Sequence, residues 1–544
     1  MTDMQRNADM ALINGSIITV DAGFSRVEAV AIRDGRFLAV GSNPEVEALI
    51  GPGTRVVDLG GRTVVPGLID SHFHLLWNAL TSSSCDLLEA RSISDVQQIL
   101  AAAAASLPKG AWIVPGPAWH EGLLAERRMP TRWELDEAVP DHPVFIPRGG
   151  HVSTSNSMAL ERAGIDDGTP DPHGGMIVRR AGDGTATGML LDNANLLMRR
   201  VLPAPAPLED QMDRLAAQMA RMNMRGLVHA TEPAVDARAL EVYSAMRDAR
   251  RMTMRVDLLW RFLGRDDVGR VTALADFPSD AMLRFSGGKY MVDGGIEGAW
   301  VSEPHLPVEG EQLDAHYRGI SMLPPGGEEE LYECFLKIAR AGLQLQCHAV
   351  GDSGIDAVLR AYARVDEMVP IAPLRWAVMH IHLPSNSAIA QMKRLGVHAT
   401  IQDHSVLLGS NMVRWWGRER AEYGAPTRRL IDAGLLVSGG TDAPVVVNDP
   451  FVCLWWLVTR KTLHGEVLGP EQAISPREAL ELYTINAARV IGVADEQGSI
   501  EVGKLADLAV LSQDITAVDP DLIPQTDVLL TLLGGTIVHN AGLL

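Results

Sequence analysis

The chain has 544 residues, within the span of a single barrel that carries insertions. Hydrophobic residues make up 47% and charged residues 21%, a globular profile that excludes an intrinsically disordered chain. The net charge is −20, with 48 basic and 68 acidic residues and no clustered Lys/Arg run, so nucleic acid and anionic membrane are excluded as partners in favour of a small-molecule substrate.

The start, Met1-Thr-Asp-Met-Gln-Arg-Asn-Ala-Asp, is polar and lacks the apolar stretch of a signal peptide, and no apolar run is long enough to span a bilayer. A soluble cytoplasmic protein is expected, with self-association into a homo-oligomer left open. Cys85, Cys334, Cys347 and Cys453 lie far apart without a C-x-x-C pair, which reads as core filling in a reducing compartment. From residue 11 to 65, short β-type runs alternate with Asn14-Gly, Asp34-Gly and Gly60-Gly, the punctuation of hairpins. The C-terminal runs at 506–511, 527–533 and 536–539 repeat the style. Neither end has enough strands to bury a sheet face alone, so residues 1–65 and 485–544 are expected to form one small β-sandwich subdomain.

Between the ends, helical stretches alternate with strands, as at 328–340 before 343–347 and 385–395 before 397–401. This alternation predicts an α/β fold, a (β/α)8 TIM-like barrel over residues 66–484. The segment from about 81 to 203 is rich in Ala, Gly and Pro and reads as an elaborated loop region or insertion near the barrel mouth.

The chemistry starts at Val64-Val-Pro-Gly-Leu-Ile-Asp-Ser-His72-Phe-His74. Residues i and i+2 of a strand share a face, so His72 and His74 point the same way, and neutral imidazole is a common ligand for zinc. Four more ligand-type residues end apolar runs: Lys289, His348, His380 and Asp442. In a (β/α)8 barrel the strand ends converge on one face, which brings such residues together from distant parts of the chain. Their nitrogen and oxygen donors suit one or two divalent ions, zinc first, manganese or iron next.

These motifs resemble the amidohydrolase superfamily, in particular the YtcJ-like branch, amidohydrolase family 3, which includes N-substituted formamide deformylases. The resemblance spans residues 11–511. It rests on Val65-Pro-Gly-Leu-Ile-Asp-Ser-His-Phe-His, Lys289-Tyr-Met-Val-Asp-Gly, Cys347-His-Ala-Val-Gly-Asp, Gly440-Thr-Asp-Ala-Pro, Gly150-His151 with Asn156-Ser-Met-Ala-Leu, and Ile500-Glu-Val-Gly-Lys-Leu-Ala-Asp-Leu-Ala-Val. It departs from the family where relatives carry R-I-E-H-A-Q and this chain has Ala377-Val-Met-His380-Ile-His382. His380 aligns as the ligand, and His382 becomes a neighbouring pocket group.

The resemblance implies that His72, His74 and Asp442 hold one metal, that His348 and His380 hold a second, and that Lys289 is carboxylated into an anionic bridge. The alternative for Lys289 is an ion pair with Asp293 or a contact to a substrate oxygen. Asp442 is the expected catalytic proton carrier, and His151, Trp119, His120 and His382 are the expected substrate contacts. His229 is a lesser pocket candidate, and Trp77, Trp112, Trp119, Trp300, Trp415 and Trp416 are candidates for apolar walls. The implied function is hydrolysis of a linear C–N amide bond, of N-formyl or N-acyl amine type, by a metal-activated hydroxide. The alternatives are a deaminase, a cyclic amidohydrolase or a lyase on the same centre, or a non-catalytic metal-binding regulatory protein.

Overall fold

The computed structural model describes residues 7–81, 85–307 and 314–544. Residues 1–6 of the polar start and 82–84 at the head of the expected insertion lie outside these. Eight parallel strands form one sheet in which neighbours in space are neighbours in sequence. They are β1 (Leu68–Asp70), β2 (Leu227–Val235), β3 (Arg255–Arg261), β4 (Leu283–Met291), β5 (Gln344–Ala349), β6 (Ala377–His380), β7 (His398–Gln402) and β8 (Val437–Gly440). Every residue of β5 is buried, as expected of a parallel strand covered on both faces. The crossover helices bury one stripe each. In Gly327–Arg340, Leu331, Cys334, Phe335 and Ile338 recur at i, i+3, i+4 and i+7. Glu328, Glu329 and Glu330 in its first turn, and Lys337 and Arg340 in its last, complement the helix dipole.

The sheet closes where the end of β1 meets the end of β8. Ser71 N donates to Gly439 O (3.1 Å) and Asp442 N to His72 O (2.7 Å). The buried Asp70 carboxylate accepts from His72 N (3.0 Å), Thr441 N (3.1 Å) and Thr441 Oγ1 (2.7 Å), stitching both strand ends to one group. Burial lifts the pKa of Asp70 to about 7 in spite of these bonds. A Cβ on Gly440 would lie 2.7 Å from His72 N and 3.0 Å from Asp70 Oδ1, so only glycine allows this approach.

The two chain ends pair. Thr63–Pro66 runs antiparallel to Leu508–Leu511 within a six-stranded sheet. That sheet packs on a four-stranded one (Arg36–Gly41, Ala29–Arg33, Met10–Ile13, Arg55–Asp58). Leu12, Ile32, Phe37, Val64, Leu508 and Leu530 share the core between them. Helix Ile485–Ile491, inside the range expected for the C-terminal half of this subdomain, packs instead with Ile69 of β1. The segment read as elaborated loops holds an antiparallel sheet, in the order Gly175–Arg179, Ala186–Asp192, Val152–Ser155, Phe145–Arg148, with apolar cores of its own. Its strands are short and bounded by Gly and Pro, which hides them in the sequence. All four cysteines are buried and none forms a disulfide among the described residues. No helix among the described residues is long and apolar enough to cross a membrane.

Gly440→Ala is expected to cost about 1–3 kcal/mol, the usual cost of overpacking, because His72 must shift away. The check is a lower denaturation midpoint together with reduced metal content in the purified variant.

Candidate metal centre

The strand ends bring six expected residues to one face of the barrel. One donor atom each from His72, His380 and Asp442 lie within 4.8 Å of one another, and all three residues are buried. His72 Nε2 and His74 Nε2 each stand 3.2 Å from Asp442 Oδ1. The His380 ring lies 4.8 Å from that of His72 and 4.5 Å from that of His348. Both ring nitrogens of His72 and the Oδ1 of Asp442 are buried without a hydrogen-bond partner. Each such orphan costs roughly 1–3 kcal/mol unless something satisfies it. A cation among imidazole nitrogens and one carboxylate does so, and the donor set suits a divalent metal.

Neighbouring groups set which nitrogens remain available. His380 Nδ1 donates to Gln402 Oε1 at 2.7 Å, which leaves Nε2 as the free lone pair. His348 Nε2 donates to Gly294 O at 3.0 Å, which frees Nδ1. Burial drives His348 and His380 well below the ordinary imidazole pKa and His72 to about 3, so all three are held as neutral donors. Burial opposes ionisation of Asp442, but His72, His404 and His74 outweigh it and hold this carboxyl well below its usual range. The backbone is left-handed at His380 (φ 70°), Ile381 (φ 41°) and Asp442 (φ 54°). Non-glycine residues bear such angles at about 1–3 kcal/mol each, and here the sharp turn after the strand aims the side chain inward.

Lys289 projects into the same cluster. Burial lowers its pKa to about 7, and Nζ lies 2.8 Å from Met379 Sδ. The alternative ion pair with Asp293 is absent. Asp293 accepts instead from the backbone N–H of Val350 (3.0 Å), Gly351 (2.8 Å) and Trp300 (3.1 Å).

The cluster forms the floor of a cavity of about 550 Å³, walled by Trp77, Leu80, Leu196, Leu263, Met291 and Met322. His151 lines it and donates from Nδ1 to Asp192 Oδ1 at 2.7 Å. A smaller adjoining pocket reaches His382. His382 does not continue the strand face of His380, because the left-handed turn at 380–381 breaks the alternation. It donates from Nε2 to His404 Nδ1 (3.1 Å), and His404 donates from Nε2 to Asp442 Oδ2 (2.8 Å).

Trp119 and His120, expected as substrate contacts, line neither of these two cavities. Trp119 is buried in the core of the inserted sheet with Nε1 on Pro147 O (2.8 Å). His120 is buried and caps Gly122 N (2.8 Å), next to the ion pair of Glu121 with Arg148 (3.0 Å). His229 lies at the start of β2, beside Arg255, and binds Gln497 (2.8 Å) and Asp257 (3.0 Å) away from the site. Trp77 alone of the six wall candidates lines the cavity; Trp112, Trp119, Trp300, Trp415 and Trp416 pack in apolar cores. His404, Gln402, Glu232 and Asp192 were not anticipated. His404, Gln402 and Glu232 sit at or just past the end of an apolar run, the same signal that marks His348 and His380.

The profile described as "Amidohydrolase family" matches residues 55–539. The chain is 30% identical to the N-substituted formamide deformylase of Arthrobacter pascens, over 99% of each chain. It is 28% identical to the putative amidohydrolase YtcJ of Bacillus subtilis (strain 168), over 97% of this chain and 98% of that one. In fold it resembles an uncharacterized metal-dependent hydrolase from Pyrococcus horikoshii OT3, with a TM-score of 0.73 at 24% identity, covering 94% of this chain and 99% of that one.

Gln402→Leu removes the acceptor that orients His380. Metal affinity should fall by about 10–100-fold, the usual effect of losing such a partner, as measured by competition with a chromophoric chelator.

Proposed function

We propose, from the premise that this chain belongs to the amidohydrolase family and is a hydrolase of carbon–nitrogen bonds, that it cleaves a linear amide of N-formyl or N-acyl amine type. The reading rests on one observation above the others: Asp442 stands at the junction of the imidazole cluster and the cavity. His404 holds its Oδ2, while Oδ1 faces His72 and His74. Similarity to a formamide deformylase over nearly the full length of both chains supports a linear amide over a cyclic one.

His72, His74, His348, His380 and Asp442 would hold the metal, zinc by donor type. When bound, it supplies the Lewis acidity that brings water to a pKa of roughly 7 and polarises a carbonyl. Asp442 accepts the proton from the attacking water, whose oxygen bonds to the acyl carbon. As the C–N bond breaks, Asp442 returns that proton to the departing nitrogen, so the products are a carboxylic acid and an amine. His404 keeps Asp442 oriented through Oδ2. His151, steadied by Asp192, faces the cavity where the acyl oxygen takes up charge. Lys289, with a pKa near 7, has a substantial fraction of free amine with which to form a carbamate with CO2, releasing one proton and becoming an anionic ligand.

Treatment with a chelator should abolish turnover of an N-formyl amine, and added zinc should restore it. Full activity in protein shown to be metal-free would refute the hydrolytic reading. Asp442→Asn keeps the size of the side chain and one oxygen acceptor but cannot take a proton. Its kcat should fall by ~10²–10⁴ with metal content largely retained, measured by amine release and elemental analysis on the same sample.

A further inference from the structure

Two guanidinium groups in the cavity have no protein partner. Arg261 is the last residue of β3, paired in register with Lys289 of β4, and Arg199 ends the helix Asn195–Arg199 of the inserted region at the cavity mouth. Among the described residues, neither makes a hydrogen bond or an ion pair through its side chain, and Arg261 Nε is buried and unsatisfied. This contrasts with Arg238, a third arginine of the cavity, which is held by Glu241 at 2.5 Å. Arg261 is half-buried and Arg199 is exposed, and both line the one cavity.

The acids nearby do not neutralise the pair. Asp192 and Asp267 act on Arg261 through space without reaching ion-pair distance. Asp192 is committed to His151 (2.7 Å) and Gly295 N (3.3 Å), and Asp267 lies 3.5 Å from Arg270. Two cations without a protein partner on the wall of one cavity favour an incoming anion, which also satisfies the buried Nε of Arg261. Guanidinium forks match a carboxylate in a planar, two-bond geometry that lysine does not offer. Asp192, Glu232, Asp236 and Asp267 also line this cavity, which limits the incoming group to a single negative charge and disfavours a phosphate dianion.

We propose that Arg261 and Arg199 form a subsite for a substrate carboxylate, so that the amides this protein cleaves are of the N-acyl amino acid class. The inference rests on the amide-hydrolase reading above and specifies its substrate. Arg261 adjoins Lys289, so the carboxylate binds on the β3–β4 side of the cavity while the amide lies over the histidines.

The test pairs N-formylphenylalanine with N-formyl-2-phenylethylamine, which differ only by the carboxylate. Wild-type kcat/KM should favour the acid. Arg261→Gln and Arg199→Gln should each lower the acid-to-neutral ratio of kcat/KM by about 10–100-fold, the range for a lost charged hydrogen bond. Arg261→Lys, which keeps the charge without the fork, should fall between. A wild-type preference for the neutral amide, or a ratio unchanged in both Gln variants, overturns the subsite and leaves the hydrolase reading standing. If neither compound is cleaved, calorimetry of N-formylphenylalanine binding to the protein as purified separates the two ideas. Binding weakened in the Gln variants upholds the subsite while hydrolysis of this class fails. Binding equal in wild type and variants places the carboxylate elsewhere and overturns the proposal.

Discussion

The seam between β1 and β8 is the constraint on which the rest of the molecule depends. Asp70 draws His72 N and the Thr441 N–H and hydroxyl onto one buried carboxylate, and Gly440 lets the two backbones approach. His72 and Asp442 are 370 positions apart in the chain, yet this contact sets their separation. Without this closure the imidazole and the carboxylate would not be held near enough to share an ion.

The site holds buried polar atoms that a bound cation would satisfy. The buried nitrogens of His72 and the Oδ1 of Asp442 have no hydrogen-bond partner, and a cation among them would satisfy the atoms that face it. The line His382, His404, Asp442 works differently. It occupies the Asp442 oxygen that faces away from His72 and leaves the other one for chemistry. One edge of the Asp442 side chain is thereby given to orientation, and the other faces the histidine cluster.

The gathering of His72, His74, Lys289, His348, His380 and Asp442 was legible in the sequence, because each closes or follows an apolar run and barrel geometry gathers strand ends. The same rule, applied at β2, β3 and β7, reaches Glu232, Arg261 and His404, which a search for familiar motifs passes over. Trp119 and His120 misled for a physical reason. Their segment belongs to the inserted sheet, whose short strands carry no periodicity long enough to reveal which side chains turn inward. Adjacency in sequence to aromatic and acidic residues is then no guide to adjacency in space. The direction of His382 was hidden by the turn at 380–381, since positive φ at an isoleucine leaves no mark in composition.

The pairing of Thr63–Pro66 with Leu508–Leu511 has a consequence for how the chain is made. Translation runs at about 5–20 residues per second, so the first of these strands leaves the ribosome on the order of tens of seconds before its partner exists. During that interval Val64 and Val65, both fully buried in the finished protein, have no covering sheet. The β1 end likewise waits for β8. The nascent N-terminal region thus keeps apolar residues uncovered until the last tenth of the chain is made, and slow passage through the middle of the message would lengthen that exposure without altering a single residue of the product.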